Sequence, residues 1–194
     1  MGGEVVDYLK ENLITNRLIL SPPYLTKAEQ LLSFYLHNRT FHAPFENIKP
    51  DEFYTPHGIK ALLQHQIQDQ DSNRGLYFAL SLSNSDEVIG TISCSNIVYG
   101  PFCSTFLGYR LSHSSLHHGY MREALEAVIS FGCKEYNLHR FEANIMPGNH
   151  ASIHLVESLG FKHEGYSPEY LYIAGRWEGH NHYVYINPHW ALSS

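Results

Sequence analysis

Cysteine is scarce in this chain: Cys94, Cys103 and Cys133 are an odd three with no C-x-x-C spacing. That pattern excludes a disulfide framework and a zinc knuckle, and reads as small core or strand residues. Cations are also few. Thirteen Lys and Arg stand against 19 Asp and Glu, a formal charge of −6 with pI near 6.1, so no nucleic-acid partner is expected, because coating a phosphate backbone needs a dense basic surface. No apolar run approaches the roughly 20 residues that span a bilayer. The opening Met1-Gly2-Gly3-Glu4-Val5-Val6-Asp7 lacks the basic and apolar blocks of a signal peptide, so no membrane and a cytoplasmic location are expected. Nucleophile-elbow G-x-S-x-G, P-loop and H-E-x-x-H patterns are missing too, which removes the commonest hydrolase, nucleotidase and zinc-peptidase readings.

What is present fits one domain over residues 1–194, with 1–12 as an N-terminal extension: 43% of the residues are hydrophobic and 16% charged. Histidine is plentiful at 14. His150 and His154 stand one helical turn apart, and His180 and His182 alternate along a strand, yet neither pair has a third ligand at a recognised spacing. They read as surface or packing residues, and no metal is expected.

Taken in order, Ile14 to Leu20 reads as a strand closed by Ser21-Pro22-Pro23. Thr26 with Glu29 forms a capping-box pattern for a helix to about His37, followed by a polar and aromatic loop from Asn38 to Glu46. A second helix runs from about Pro56 to Gln70. Strands at 75–83, 88–98 and 105–111 follow, the last placing Thr105, Leu107, Tyr109 and Leu111 on one face with Gly108 between them. A long helix from Gly119 to about Tyr136 leads to a half-buried strand, Arg140 to Ile145. Asn149 then caps a helix stopped by Gly160, and strands around 165–173 and 177–186 are joined by Ala174-Gly175-Arg176. The order β-α-α-β-β-β-α-β-α-β-β implies an α/β or α+β unit with a mixed sheet.

The stretch Leu116-His117-His118-Gly119-Tyr120-Met121-Arg122 opens the cleanest helical pattern, with Met121, Leu125, Val128, Ile129 and Gly132 on one face. A glycine at a helix start leaves backbone N–H groups and the positive end of the dipole open to an anion. The same glycine also suits an ordinary turn.

Gly119-Tyr120-Met121-x-Glu123-Ala124-Leu125, Asn144-Ile145-Met146-Pro147-Gly148-Asn149-x-x-Ser152 and Leu159-Gly160-Phe161-x-x-Glu164-Gly165-Tyr166 together resemble the GNAT superfamily of acetyl-CoA-dependent N-acetyltransferases. Within it they are most similar to the RimJ/RimL family of ribosomal-protein-alanine N-acetyltransferases. Thr15-Asn16-Arg17-Leu18, Ile89-Gly90, Leu107-Gly108-Tyr109 and Gly175-Arg176-Trp177 extend the likeness over about residues 13–190.

The resemblance implies a mixed, mostly antiparallel central sheet flanked by helices, with acetyl-CoA as acetyl donor and no metal. It implies a protein N-terminus as acceptor, with a small amine as the alternative, or a CoA-binding regulator without turnover, on a monomer or homodimer. Backbone N–H groups of His117, His118, Gly119, Tyr120 and Met121 would wrap the pyrophosphate, with Arg122 adding a charge; Leu116 and Met121 depart from the polar and small residues of the family loop, and Met121 is expected to narrow it. Backbone groups of Leu107, Gly108 and Tyr109 would pair with pantetheine and supply the oxyanion donor, Asn149 would hold the pantetheine arm, and Asn144 would also contact the cofactor. Ser152 would lie near the CoA sulfur, and Glu169 would meet the acceptor amine and take its proton through water. Glu46, Phe45 and Tyr170 would line the acceptor end, and Tyr166, Tyr170 and Tyr172 are further candidate acids.

Overall fold

The computed structural model describes residues 10–191. The expected N-terminal extension, residues 1–12, falls mostly outside them. In chain order the elements are β1 (Leu13–Ile14), β2 (Leu18–Ser21), α1 (Ala28–His42), α2 (Pro56–Asp71), β3 (Leu76–Leu82), β4 (Val88–Val98), β5 (Ser104–Leu111), α3 (Tyr120–Glu135), β6 (Arg140–Ile145), α4 (His150–Ser158), β7 (Lys162–Ile173) and β8 (Arg176–Ile186). The strands form one sheet in the order β1-β2-β3-β4-β5-β6-β8-β7. Every neighbouring pair is antiparallel except β5 and β6, which run parallel.

Strand alternation sorts residues onto two covered faces. On one, Met121, Ala124, Leu125, Val128, Ile129 and Gly132 of α3 pack over Ile92, Cys94, Leu107, Phe141, Ala143 and Ile145. The other is covered by α1 and α2, whose Leu31, Phe34, Tyr35, Ile59 and Leu63 form a smaller cluster with Ala79 and Val88. A β-strand offers each face only every second residue, so Gly108, Arg110, Asn144 and His182 point away from α3.

Three sequence expectations need correction. The first strand is interrupted: Thr15 to Arg17 make a turn, because Thr15 Oγ1 and the Arg17 N–H both donate to Glu123 Oε1, at 2.6 and 2.8 Å. The capping box at Thr26 does not form. Its hydroxyl donates back to the Pro22 carbonyl at 2.9 Å, and α1 starts two residues later with no side-chain cap. Nor does α1 stop at His37; it continues to His42 and then a 3₁₀ turn, Ala43–Phe45. The polar turn is kept helical by Asn38, which is buried and donates to the Phe34 carbonyl and Ser112 Oγ while accepting from the His113 N–H.

Candidate active site

Parallel strands β5 and β6 pair only over Ser104–Arg140, Thr105–Phe141 and Phe106–Glu142. Beyond that point β5 keeps its ladder with β4, and β6 keeps its ladder with β8, but they share no further pair. The sheet therefore has a notch in its middle. Backbone groups of Leu107, Gly108 and Tyr109 on the β6 side face it without a strand partner, which suits an extended amide-bearing chain.

On the α3 side of the notch the helix N-terminus is prepared for an anion. Gly119 is the N-cap residue at φ 75°, ψ 6°, and no side chain caps the helix; a left-handed cap of this kind favours glycine and leaves the first N–H groups open. The loop is braced from outside. Glu123 binds Arg17 Nε at 2.7 Å, Arg17 Nη1 donates to the His118 carbonyl at 2.9 Å, and the Arg17 guanidinium lies 4.8 Å above the Tyr120 ring, which His118 stacks upon. Burial pushes the Glu123 carboxyl up, but hydrogen bonds from Thr15 and Arg17 outweigh it and hold it below its ordinary value.

Placement of the expected loop residues divides them. His117, His118 and Gly119 are exposed around the helix start, as an anion-binding backbone requires. Met121 does not narrow the loop: its side chain is 5% exposed and enters the core beside Gly90. Arg122 points along the helix and pairs with Glu126 at 3.0 Å.

α4 brings in the next group. Asn149 caps it by accepting from the Ser152 N–H at 3.2 Å, which fixes Ser152 in the first turn. Ser152 Oγ shares a 2.5 Å hydrogen bond with the Tyr109 hydroxyl of β5, spanning the notch on its α3 side. Burial raises the Tyr109 phenol to about 12, more than its Ser152 hydrogen bond lowers it, so it stays protonated throughout any working pH. The Tyr109 side chain was not among the sequence candidates; only its backbone was.

The opposite face of the notch is different in character. Glu46, expected in an aromatic loop, is tied by short ion pairs to Arg110 of β5 and to Lys49, and its side chain is 11% exposed. Its backbone carbonyl accepts from the Ala174 N–H at 2.9 Å, which seats the β7–β8 hairpin on the α1–α2 connection. Between α1 and the connection that follows it lies a cavity of about 170 Å³, lined among others by His42, Glu46, Ile48 and Lys49. Phe45 is exposed beside it. In β7 the register shifts between Ser167 and Leu171, and Glu169 sits in that bulge at φ 49°. Its carboxylate is exposed and has no hydrogen bond or ion pair among the described residues. Tyr170 lies inward, with its ring 4.8 Å from that of His182, while Tyr166 and Tyr172 are more than half exposed.

A notch with open amides, an uncapped helix start on one side and a paired hydroxyl at its floor is a built place for a thioester on a phosphate-bearing carrier. The family comparison decides between carriers: residues 17–162 match the model described as "Acetyltransferase (GNAT) domain". The chain belongs to the GNAT family. It is 34% identical over 181 residues to the [ribosomal protein uS5]-alanine N-acetyltransferase of Escherichia coli K12, covering 93% of each chain. Its fold matches the ribosomal-protein-S5-alanine acetyltransferase of Vibrio fischeri with TM-score 0.86 at 32% identity, over 93% of this chain and 99% of that one. Mycobacterium smegmatis RimJ, solved with CoA-disulfide, shares the fold at TM-score 0.82 and 22% identity, over 87% of this chain and 81% of that one. Within the family the GNAT chain groups with RimJ/RimL enzymes, and it is an acetyl-CoA-dependent N-acetyltransferase.

For this GNAT enzyme the residues fit the donor. Acetyl-CoA supplies an acyl thioester and a pyrophosphate; the α3 amides and Gly119 would take the anion, and the β5 edge would take the pantetheine amides. Among the described residues no group of three or more His, Cys, Asp or Glu is placed to hold a metal. His180 and His182 do share a face, and both are engaged elsewhere: His180 Nδ1 donates to the Glu178 carbonyl, and His182 bonds Asn144 and Ser167. Among the described residues no helix is long and apolar enough to cross a membrane.

Proposed function

We propose that this enzyme transfers acetyl from acetyl-CoA to the N-terminal α-amine of a ribosomal protein that begins with alanine, in the cytoplasm, as one domain. The observation that carries the acceptor is the 34% identity spread over 93% of both chains with the uS5-alanine enzyme. Geometry supports it against a small polyamine. A polycation pocket needs unpaired buried carboxylates, whereas Glu46 already answers two cations, Arg110 and Lys49. Glu169, exposed on its bulge, makes no hydrogen bond or ion pair among the described residues, and a single ammonium at the end of a chain can reach it.

In this reading Glu169 attracts the acceptor ammonium, the β5 backbone at Leu107 to Tyr109 steadies the oxyanion, and the Tyr109–Ser152 pair protonates the leaving sulfur. Asn149 places Ser152. Free CoA release should be measured with peptides copying the N-termini of ribosomal proteins, against spermidine and other small amines. Preference for an alanine-first peptide by at least about tenfold in kcat/KM is expected. Faster turnover of a small amine, or tight CoA binding with turnover of nothing, would replace the acceptor or leave a regulator.

A further inference from the structure

On the acceptor face, three side chains that no sequence pattern joined form a chain of hydrogen bonds. Asn144 Oδ1 of β6 lies 2.6 Å from His182 Nδ1 of β8, and His182 Nε2 lies 2.8 Å from Ser167 Oγ of β7. Asn144 Oδ1 can only accept, so Nδ1 carries the imidazole hydrogen. The neutral ring then presents its Nε2 lone pair to the Ser167 hydroxyl, which donates. All three lie on the face away from α3, at the flank where β6 has parted from β5. Ser167 is the last paired residue before the bulge that carries Glu169, and Tyr170, the first residue after Glu169, lays its ring edge-on to His182.

We infer that Ser167, His182 and Asn144 form a proton relay that takes the proton from the acceptor ammonium: the Ser167 hydroxyl meets the amine, His182 is the terminal acceptor, and Asn144 sets its tautomer. The inference rests on the acceptor reading above and adds the route of the proton. In the step, one N–H proton of R–NH₃⁺ passes to Ser167 Oγ as the hydroxyl hydrogen passes to His182 Nε2. The freed lone pair forms the C–N bond, the C–S bond breaks, the Tyr109–Ser152 pair gives the sulfur its proton, and the second amine proton restores that pair. His182 returns its proton to solvent.

Geometry favours the ring over the carboxylates. The His182 Nε2 lone pair is aimed at the Ser167 hydroxyl 2.8 Å away, whereas neither Glu169 nor Glu46 shares a hydrogen bond with this chain of side chains. Glu169 is solvated, and Glu46 is neutralised by Arg110 and Lys49. Glu169 therefore serves to hold the ammonium, and the base is the imidazole behind it. The titratable groups facing His182 are Tyr170 from β7 and His180 from its own strand; Asn144 and Ser167 carry no charge. His180 is held below its ordinary value by burial first and by His182 last, against Glu178.

Two readouts on the full-length protein test the relay. In ¹⁵N side-chain spectra His182 is expected as the Nδ1–H tautomer, and Asn144→Asp should raise its titration by about one pH unit. In acetyl transfer to an alanine-first peptide, the acid limb of kcat should follow the same shift in Asn144→Asp. His182→Gln should lose that limb together with about 10²-fold in kcat, with CoA affinity unchanged. An Nε2–H tautomer, or an acid limb that stays in place in Asn144→Asp, overturns the relay even if His182→Gln fails to fold. Absence of turnover on every N-terminal peptide would instead strike the acceptor reading, and the tautomer would still judge the relay.

Discussion

The two faces of the notch are built by different means. On the α3 face the working groups are main-chain amides and residues close in sequence: Gly119 opens a helix, and Asn149 caps another three residues before Ser152. On the α1–α2 face they are side chains joined across the fold, Glu46 to Arg110 over 64 positions and Asn144 to His182 over 38. A donor common to a whole family can be met by backbone, which any sequence supplies. An acceptor must be distinguished, and only side chains can do that.

If this contrast holds, side-chain changes should be costly on the acceptor face and mild around the helix start, except where they alter the backbone itself. Glu169→Gln should have the largest effect, about 10²-fold in kcat/KM for the acceptor, with the acid limb of kcat retained because His182 is intact; loss of the limb would make Glu169 the base after all. Gly119→Val follows, since a β-branched residue is strained at φ 75°. It should weaken CoA binding by roughly tenfold, read by calorimetry. Tyr109→Phe should lower kcat by about tenfold, less than the carboxylate because a thiolate leaves with little help. Arg122→Ala should change the KM for acetyl-CoA less than about threefold, because its partner is Glu126. A larger rise would put a side chain back into the phosphate site.

Glu123 supplies a stability check with a definite sign. Its folded carboxyl lies below 4.5, so the contribution is present above that value and disappears as pH falls through the folded one. Glu123→Gln should lower Tm at pH 7 by roughly 4–8 °C, corresponding to about 2 kcal/mol. The gap to the parent should close in acid. A gap that persists at pH 3 would mean that the bonds to Thr15 and Arg17 matter by shape and not by charge.

Much of the fold was legible because periodicity reports burial. The α3 stripe, strand β6 and the Asn149 cap all lie where spacing put them. Errors arose where a residue's partner is remote. Thr26 has the right local pattern for a cap, but the Pro22 carbonyl was nearer, and Asn38 looks like a loop residue until Ser112 and His113 arrive from the sheet. The same physics divides the site. Gly119 and Ser152 were visible as motif positions, whereas nothing adjacent to Glu46 announces Arg110, and His182 read as a surface or packing residue. Thr15-x-Arg17 and the acid in the first turn of α3 were both in view, and only the fold revealed that they clasp each other.

The parting of β5 from β6 has a consequence beyond ligand placement. A sheet normally keeps its unsatisfied ladder at the rim, where it invites another chain to add on. This one carries a second, inner rim, and the helices over both faces leave little access except through the cleft itself. On the proposed reading, every acetylation cycle empties and refills that gap. The donor, for the interval it stays bound, would act there as the missing strand, filling from within a ladder that other sheets leave open at the edge.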